Sequence, residues 1–191
     1  MAPVGRTLGS TGITPNALTA IGLGLNVGAA VVLATGQYTW GGLAFLGASA
    51  FDALDGAVAR ATGQASPFGA FFDSVADRYA ESVVFIGLFV SFSLQSTPTL
   101  LAAAVIALVG SLMVSYTRAR AEGLGVDCEV GLLQRPERVL LLTAGLLVPD
   151  LLLQPVLWGL ALATNITVVQ RVLHVRKALQ ARARGAQGDS V

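Results

Sequence analysis

Six apolar stretches, separated by short polar or turn-forming connections, constrain most strongly what this chain can fold into. A helix needs roughly 20 mostly apolar residues to cross a hydrocarbon core of about 30 Å, and helices are the simplest way to satisfy every backbone polar group there. The stretches run from about Thr14 to Thr35, Tyr38 to Ala59, Pro67 to Leu94 and Thr99 to Ala119, then from just after Arg135-Pro136 to Val148, and from Leu151 to Val172. Composition agrees: 54% of the 191 residues are hydrophobic, 12% are charged and the mean hydropathy is +0.70, which excludes an ordinary water-soluble domain. The expected fold class is an all-α integral membrane protein with six transmembrane helices.

Basic residues give an independent check, because Lys and Arg collect in cytoplasmic connections. Arg6 precedes the first stretch, Arg60 and Arg78 flank the second connection, and Arg118, Arg120, Arg135 and Arg138 flank the fourth. Arg171, Arg176, Lys177, Arg182 and Arg184 follow the sixth. The opposite connections, near Gly36-Gln37, Gln95–Pro98 and Pro149-Asp150, hold no Lys or Arg. This alternation requires an even number of crossings and places both termini in the cytoplasm. The first stretch is longer than the roughly 7–15-residue apolar core of a signal peptide and five more follow it, so it is expected to stay as a span. With no internal repeat and no long linker, residues 1–176 are expected to form one six-helix domain and 177–191 a basic cytoplasmic tail. The single cysteine, Cys128, permits no intrachain disulfide and reads as incidental. Gly24 and Gly28 make a weak helix-packing motif.

The stretch "FDALDGAVARATGQASPFGAFFDSVADRYAES", residues 51–82, carries four aspartates inside this oily chain. Asp52 and Asp55 are three apart at the cytoplasmic end of the second span, and Asp73 and Asp77 are four apart in the third, so each pair shares a helix face. The connection between them, about Ala61 to Ser66, makes the two helices antiparallel neighbours. Counting outward at ~1.5 Å per residue puts Asp55 level with Asp73, and Asp52 and Asp77 about one turn deeper. Four carboxylates converging in a poorly hydrated place repel one another unless cations neutralise them, and oxygen-only ligands suit Mg²⁺ or Mn²⁺. Solvated aspartates at a helix end are the bland alternative, and four aligned ones fit it poorly. Gly56, Ala59 and Gly69 leave room beside the carboxylates for a ligand or for close helix packing.

The run Asp52-x2-Asp55-Gly56-x2-Ala59-Arg60-x8-Gly69-x3-Asp73-x3-Asp77 resembles the signature of the CDP-alcohol phosphotransferases, with every fixed position filled. That resemblance implies a six-helix membrane enzyme, usually a homodimer, that transfers a phosphatidyl group from CDP-diacylglycerol to an alcohol and releases CMP. It implies Asp52, Asp55 and Asp73 as core metal ligands for two ions, and Asp77 as general base on the acceptor hydroxyl with a share in the metal. It also implies a nucleotide site formed by Asp52, Gly56, Ala59, Arg60 and Gly69. The only histidine, His174, lies beyond the sixth span and is expected to be a surface residue. Thr14-Pro15-Asn16-x2-Thr19 has two readings: a helix N-cap followed by proline, or a family segment in which Asn16 and Thr19 help hold the nucleotide.

The acceptor is addressed by "SYTRARAEGLGVDCEVGLLQRPER", residues 115–138, which resembles the bacterial members of that family that accept inositol 1-phosphate and make phosphatidylinositol phosphate. By that resemblance Ser115, Arg118, Arg120, Arg138 and Arg171 form the pocket for the acceptor's phosphate, for which arginine forks are well suited. Arg118 departs from the Lys common there, and the two are not interchangeable at a tight phosphate site. Glycerol 3-phosphate is the alternative acceptor. A cation or proton transporter is the alternative from another class; it explains the aspartates but not the Gly, Ala and Arg spacing. The basic tail suits contact with anionic lipid, no nucleic-acid partner is expected, and the expected location is the bacterial inner membrane with the site toward the cytoplasm. The sequon at Asn165 falls inside the sixth span and carries no weight.

Overall fold

The computed structural model describes residues 14–62 and 66–188, with side chains outside 53–62 and 185–188. Among the described residues every regular element is helical: α1 Pro15–Ala34, α2 Tyr38–Thr62, α3 Pro67–Leu94, α4 Pro98–Glu122, α5 Arg135–Leu147, a π-helical turn Pro149–Leu153, and α6 Gln154–Gly188.

Proline sets most of the starts. Pro15, Pro67 and Pro98 occupy the first turns of α1, α3 and α4, where a missing N–H costs nothing and the fixed φ suits a helix. Thr14 Oγ1 accepts from the Ala17 N–H at 3.3 Å and Ser66 Oγ from the Gly69 N–H at 3.0 Å, so both prolines follow a side-chain cap. At α5 the Glu137 carboxylate accepts from the Gln134 N–H at 3.0 Å. The sixth apolar stretch becomes a much longer helix than its hydropathy suggests. Its start is the π-helical turn at Pro149, and beyond Val172 the good helix formers Lys, Ala, Leu, Gln and Arg carry it to Gly188.

Among the described residues, three helical segments are long and apolar enough to cross a membrane: Pro15–Ala34, Pro98–Glu122 and Pro149–Arg184. In α3 the apolar run is interrupted by Asp73, Asp77, Arg78 and Glu81, and α5 has 13 residues, about 20 Å of helix. The outward faces are oily throughout: Val31 is 62% exposed, Leu94 76% and Leu151 71%. Such side chains are at rest against lipid tails rather than water.

Inside, α1 packs on α2 and α3, α4 on α3 and α6, and α5 on α2. Leu33, Phe45, Phe85, Leu88, Phe92, Leu146 and Leu157 form the centre, with Ala103, Ala104 and Ala107 giving α4 a flat side. A Cβ added at Gly87 would run into the Ala30 carbonyl oxygen and lie 2.9 Å from its Cα, so α3 touches the backbone of α1 there. Gly24 and Gly28 point the other way and meet nothing within 4 Å. The packing stripe of α1 is Gly22, Asn26, Ala29, Ala30 and Leu33, and the Gly24/Gly28 spacing falls on the opposite face.

This contrast gives a paired expectation. Gly→Ala adds about 0.5–1 kcal/mol of helix propensity at either position, but at Gly87 it overpacks against backbone, a cost of about 1–3 kcal/mol. Gly87→Ala is expected to lower the midpoint of thermal unfolding in detergent, and Gly28→Ala to keep or raise it. Equal midpoints would disprove the close α1–α3 contact.

Candidate active site

Asp52 sits on the buried side of α2, 5% exposed. Opposite it, α1 presents Gly22, where a Cβ would be 3.1 Å from Asp52 Oδ1, so only a small residue lets α1 pass this close. Asp73 and Asp77, a turn apart on α3, complete the group: one carboxylate oxygen from each of Asp52, Asp73 and Asp77 lies within 4.8 Å of the others. The convergence expected from counting along two antiparallel helices is therefore present for these three, while the side chains of Asp55, Gly56, Ala59 and Arg60 lie outside the described residues.

The donor set fits a hard divalent ion. All donors are oxygens, the site is largely buried, and Asp77 Oδ1 is buried without a hydrogen bond. Arg135 Nη1 lies 2.8 Å from that oxygen, but the N–H is not aligned as a hydrogen bond, so attraction there is Coulombic. The other amine, Nη2, donates to Asp52 Oδ2 at 2.7 Å. One guanidinium thus joins a carboxylate of α2 to one of α3. Burial by itself lowers the Arg135 pKa, but Asp77 and Asp52 outweigh burial and hold it above its ordinary value.

Beside the triad opens a cavity of about 250 Å³. Asp77 and Glu81 of α3, Ser115 and Arg118 of α4, Arg135 and Arg138 of α5, and Arg171 of α6 all line it. Four of the five residues expected around an acceptor phosphate are thereby brought together with Asp77; Arg120 is exposed and is not among the lining residues. The arginines are partly engaged already. Arg138 is 4% exposed and donates through Nε and Nη2 to the two Glu81 oxygens at 3.1 and 3.3 Å. Arg171 gives Nε to the Val130 carbonyl at 2.9 Å and Nη1 to the Val114 carbonyl at 2.5 Å. Arg118 pairs with Glu122 at 2.8 Å and with Glu129 at 3.6 Å.

At the start of the bundle, Asn16 and Gly69 come together: a Cβ on Gly69 would be 3.4 Å from Asn16 Oδ1. Thr19 is buried and its hydroxyl donates to the Pro15 carbonyl at 3.2 Å. Thr14 caps α1, so the capping reading of this segment holds at Thr14 while Asn16 faces the start of α3.

Sequence reasoning placed His174 at the surface, and it is partly exposed with Nε2 3.0 Å from the Asp127 carbonyl. Cys128 was read as incidental; it is buried with Ala121 and Val126 against Val175 and Ala178, a small core fixing the α4–α5 connection to α6. Two site residues stand outside the sets expected above: Arg135, one of the arginines at the fourth connection, is in the cavity wall without having been given a role, and Glu81 was missed. Glu81 follows Asp73 and Asp77 at the same four-residue step, a signal that the carboxylate stripe on α3 continues.

The family model of CDP-alcohol phosphatidyltransferase matches residues 12–173. The phosphatidylinositol phosphate synthase of Mycobacteroides abscessus is 39% identical over 182 residues, covering 91% of this chain and 82% of that protein. The crystal structure of Mycobacterium tuberculosis phosphatidylinositol phosphate synthase with CDP-DAG bound superposes with a TM-score of 0.86 at 34% identity, covering 91% of this chain and 92% of that one. A second structure of the M. tuberculosis enzyme, in complex with manganese and citrate, gives 0.85 at 35% identity, covering 91% and 88%.

Proposed function

The chain belongs to the CDP-alcohol phosphatidyltransferase family, and we propose that it transfers the phosphatidyl group of CDP-diacylglycerol to inositol 1-phosphate, releasing CMP and leaving phosphatidylinositol phosphate. The observation that carries this reading is the double membership of Asp77: it belongs both to the carboxylate triad and to the wall of the arginine-lined cavity. A donor held at the triad and a phosphorylated alcohol held in the cavity therefore meet at one side chain.

The acceptor hydroxyl oxygen attacks the phosphatidyl phosphorus, the bond from that phosphorus to the CMP oxygen breaks, and the hydroxyl proton passes to the Asp77 carboxylate. Asp52, Asp73 and Asp77, with Asp55, would hold two divalent ions, Mg²⁺ or Mn²⁺, which supply charge neutralisation on the pyrophosphate and on leaving CMP. Asn16, Thr19, Gly56, Ala59, Arg60 and Gly69 border the cytidine diphosphate, with Gly69 admitting it close to the backbone. Ser115, Arg118, Arg138 and Arg171 receive the acceptor's phosphate, and Arg120 adds positive potential from outside the cavity. Arg135 keeps Asp77 and Asp52 in fixed relation.

The same reading has the chain cross the bacterial inner membrane six times as one domain, residues 1–176, with both termini, the basic tail 177–191 and the site on the cytoplasmic side, and as a homodimer. Its support is that the triad, the cavity and the basic residues share one end of the bundle, away from the Lys- and Arg-free connections at Gly36-Gln37 and Gln95–Pro98. Ion transport is not favoured, since the matched family is a transferase.

The test is CMP release by purified protein in nanodiscs with Mg²⁺ and CDP-diacylglycerol, offering inositol 1-phosphate, glycerol 3-phosphate, free inositol and serine separately. Release with inositol 1-phosphate alone is expected. Release with glycerol 3-phosphate alone would overturn the acceptor while leaving the reaction class intact.

A further inference from the structure

Glu81 stands in the wall of a cavity whose other charged residues, Asp77 apart, are all arginines. A carboxylate there opposes binding of a phosphate unless its charge is already taken up. It is taken up by Arg138, through the side-on edge of the guanidinium: Nε at 3.1 Å and Nη2 at 3.3 Å, one to each Glu81 oxygen. The Nη1 amine and the outer edge of Arg138 are left for the cavity, which Arg138 lines. Below the pair the protein is mostly apolar, with Phe45, Val84, Phe85, Leu142 and Leu160 and the uncharged Ser111 around a small void. An arginine 4% exposed against that surface has no other described counter-charge, and without one it would turn toward water.

We propose that Glu81 is a positioning residue: by gripping Arg138 side-on, it aims the free edge of that guanidinium into the cavity and so sets the affinity for the acceptor's phosphate. The inference rests on the acceptor reading above. Glu81 lies one helical turn from Asp77 on the same face of α3. The group that takes the hydroxyl proton and the group that orients the phosphate ligand therefore ride on one rigid element, about 6 Å of helix rise apart. α5 meets α3 across the cavity through Arg135–Asp77 and Arg138–Glu81, so the second pair is also what keeps the span from base to phosphate ligand constant.

The experiment is a double-mutant cycle of Glu81→Gln and Arg138→Ala in nanodiscs, reading kcat and KM for inositol 1-phosphate, KM for CDP-diacylglycerol, and calorimetric binding of inorganic phosphate. Glu81→Gln is expected to raise the acceptor KM and weaken inorganic phosphate about tenfold, with kcat and the donor KM within about twofold. In the Arg138→Ala background the same change is expected to cost no further affinity and to recover some of it, because the loss runs through Arg138 and the carboxylate left unpaired there opposes the anion until it is neutralised. Should Glu81→Gln fold poorly, Glu81→Asp keeps the charge, shortens the reach and shifts the acceptor KM the same way. An unchanged or lowered acceptor KM, or an undiminished effect without Arg138, overturns the assignment. If inositol 1-phosphate does not stimulate the wild type while the phosphate cycle still shows coupling, the acceptor reading fails and the role of Glu81 stands.

Discussion

Asp77→Asn is expected to stop transfer while leaving most of the binding of CDP-diacylglycerol in place. Asparagine keeps the shape but gives up the charge that attracts Arg135, and it takes no proton from an attacking hydroxyl. General-base assistance is worth about 10²–10⁴ in rate. Because Asp77 also belongs to the triad, loss of a charge there weakens stabilisation of the leaving group as well, and the expected fall in kcat is about 10³-fold or more. The measurement is single-turnover CMP release at saturating Mn²⁺ and acceptor, paired with equilibrium binding of CDP-diacylglycerol. The expected donor affinity is within about tenfold of wild type, since the remaining carboxylates and the α1 and α3 starts, the proposed nucleotide side of the site, are unchanged. Turnover near the wild-type rate would remove Asp77 from the proton-transfer role, and loss of donor binding in step with turnover would make it a ligand only.

Much of this arrangement was legible in the sequence because it depends on helix periodicity and on strong local signals. The starts of α1 and α3 follow from Thr14-Pro15 and Ser66-Pro67, where a capping side chain precedes proline. The meeting of Asp52, Asp73 and Asp77 follows from the four-residue step between Asp73 and Asp77 and from a short turn that sets Asp52 of α2 opposite them. What was not legible depends on which face of a helix meets which neighbour. Gly24 and Gly28 have the spacing of a packing motif but face outward, whereas Gly87, in no motif, touches backbone. Arg135 and Arg138 are three apart in one basic run, yet each pairs with a different carboxylate. A charge count along the chain gives them one shared role, and only their partners across the cavity separate the link between Asp52 and Asp77 from the partner of Glu81. The length of α6 was hidden for another reason: hydropathy marks where lipid ends, and a helix of Lys, Ala, Gln and Arg continues past that point.

Asp52→Asn is expected to fail differently from Asp77→Asn. Asp52 is the most buried of the triad, packed against the bare backbone of Gly22 and hydrogen-bonded to Arg135 at 2.7 Å. Asparagine fits the same space and still accepts that bond, so the helix packing is preserved. The change removes one of the negative charges that offset a divalent ion and leaves Arg135 less neutralised beside the site. Changing a partner outside the ligand shell already costs about 10–100-fold in metal affinity, so changing a primary carboxylate is expected to weaken Mn²⁺ by about 100-fold or more. Transfer falls with it, by about 10³-fold at low metal, and recovers in part as Mn²⁺ is raised, whereas Asp77→Asn does not recover. Calorimetric Mn²⁺ titration of the protein without donor, alongside the rate as a function of Mn²⁺, separates the two. Wild-type Mn²⁺ affinity in Asp52→Asn would show that the three carboxylates meet for Arg135 rather than for a metal, and the transferase chemistry would then need another source of positive charge.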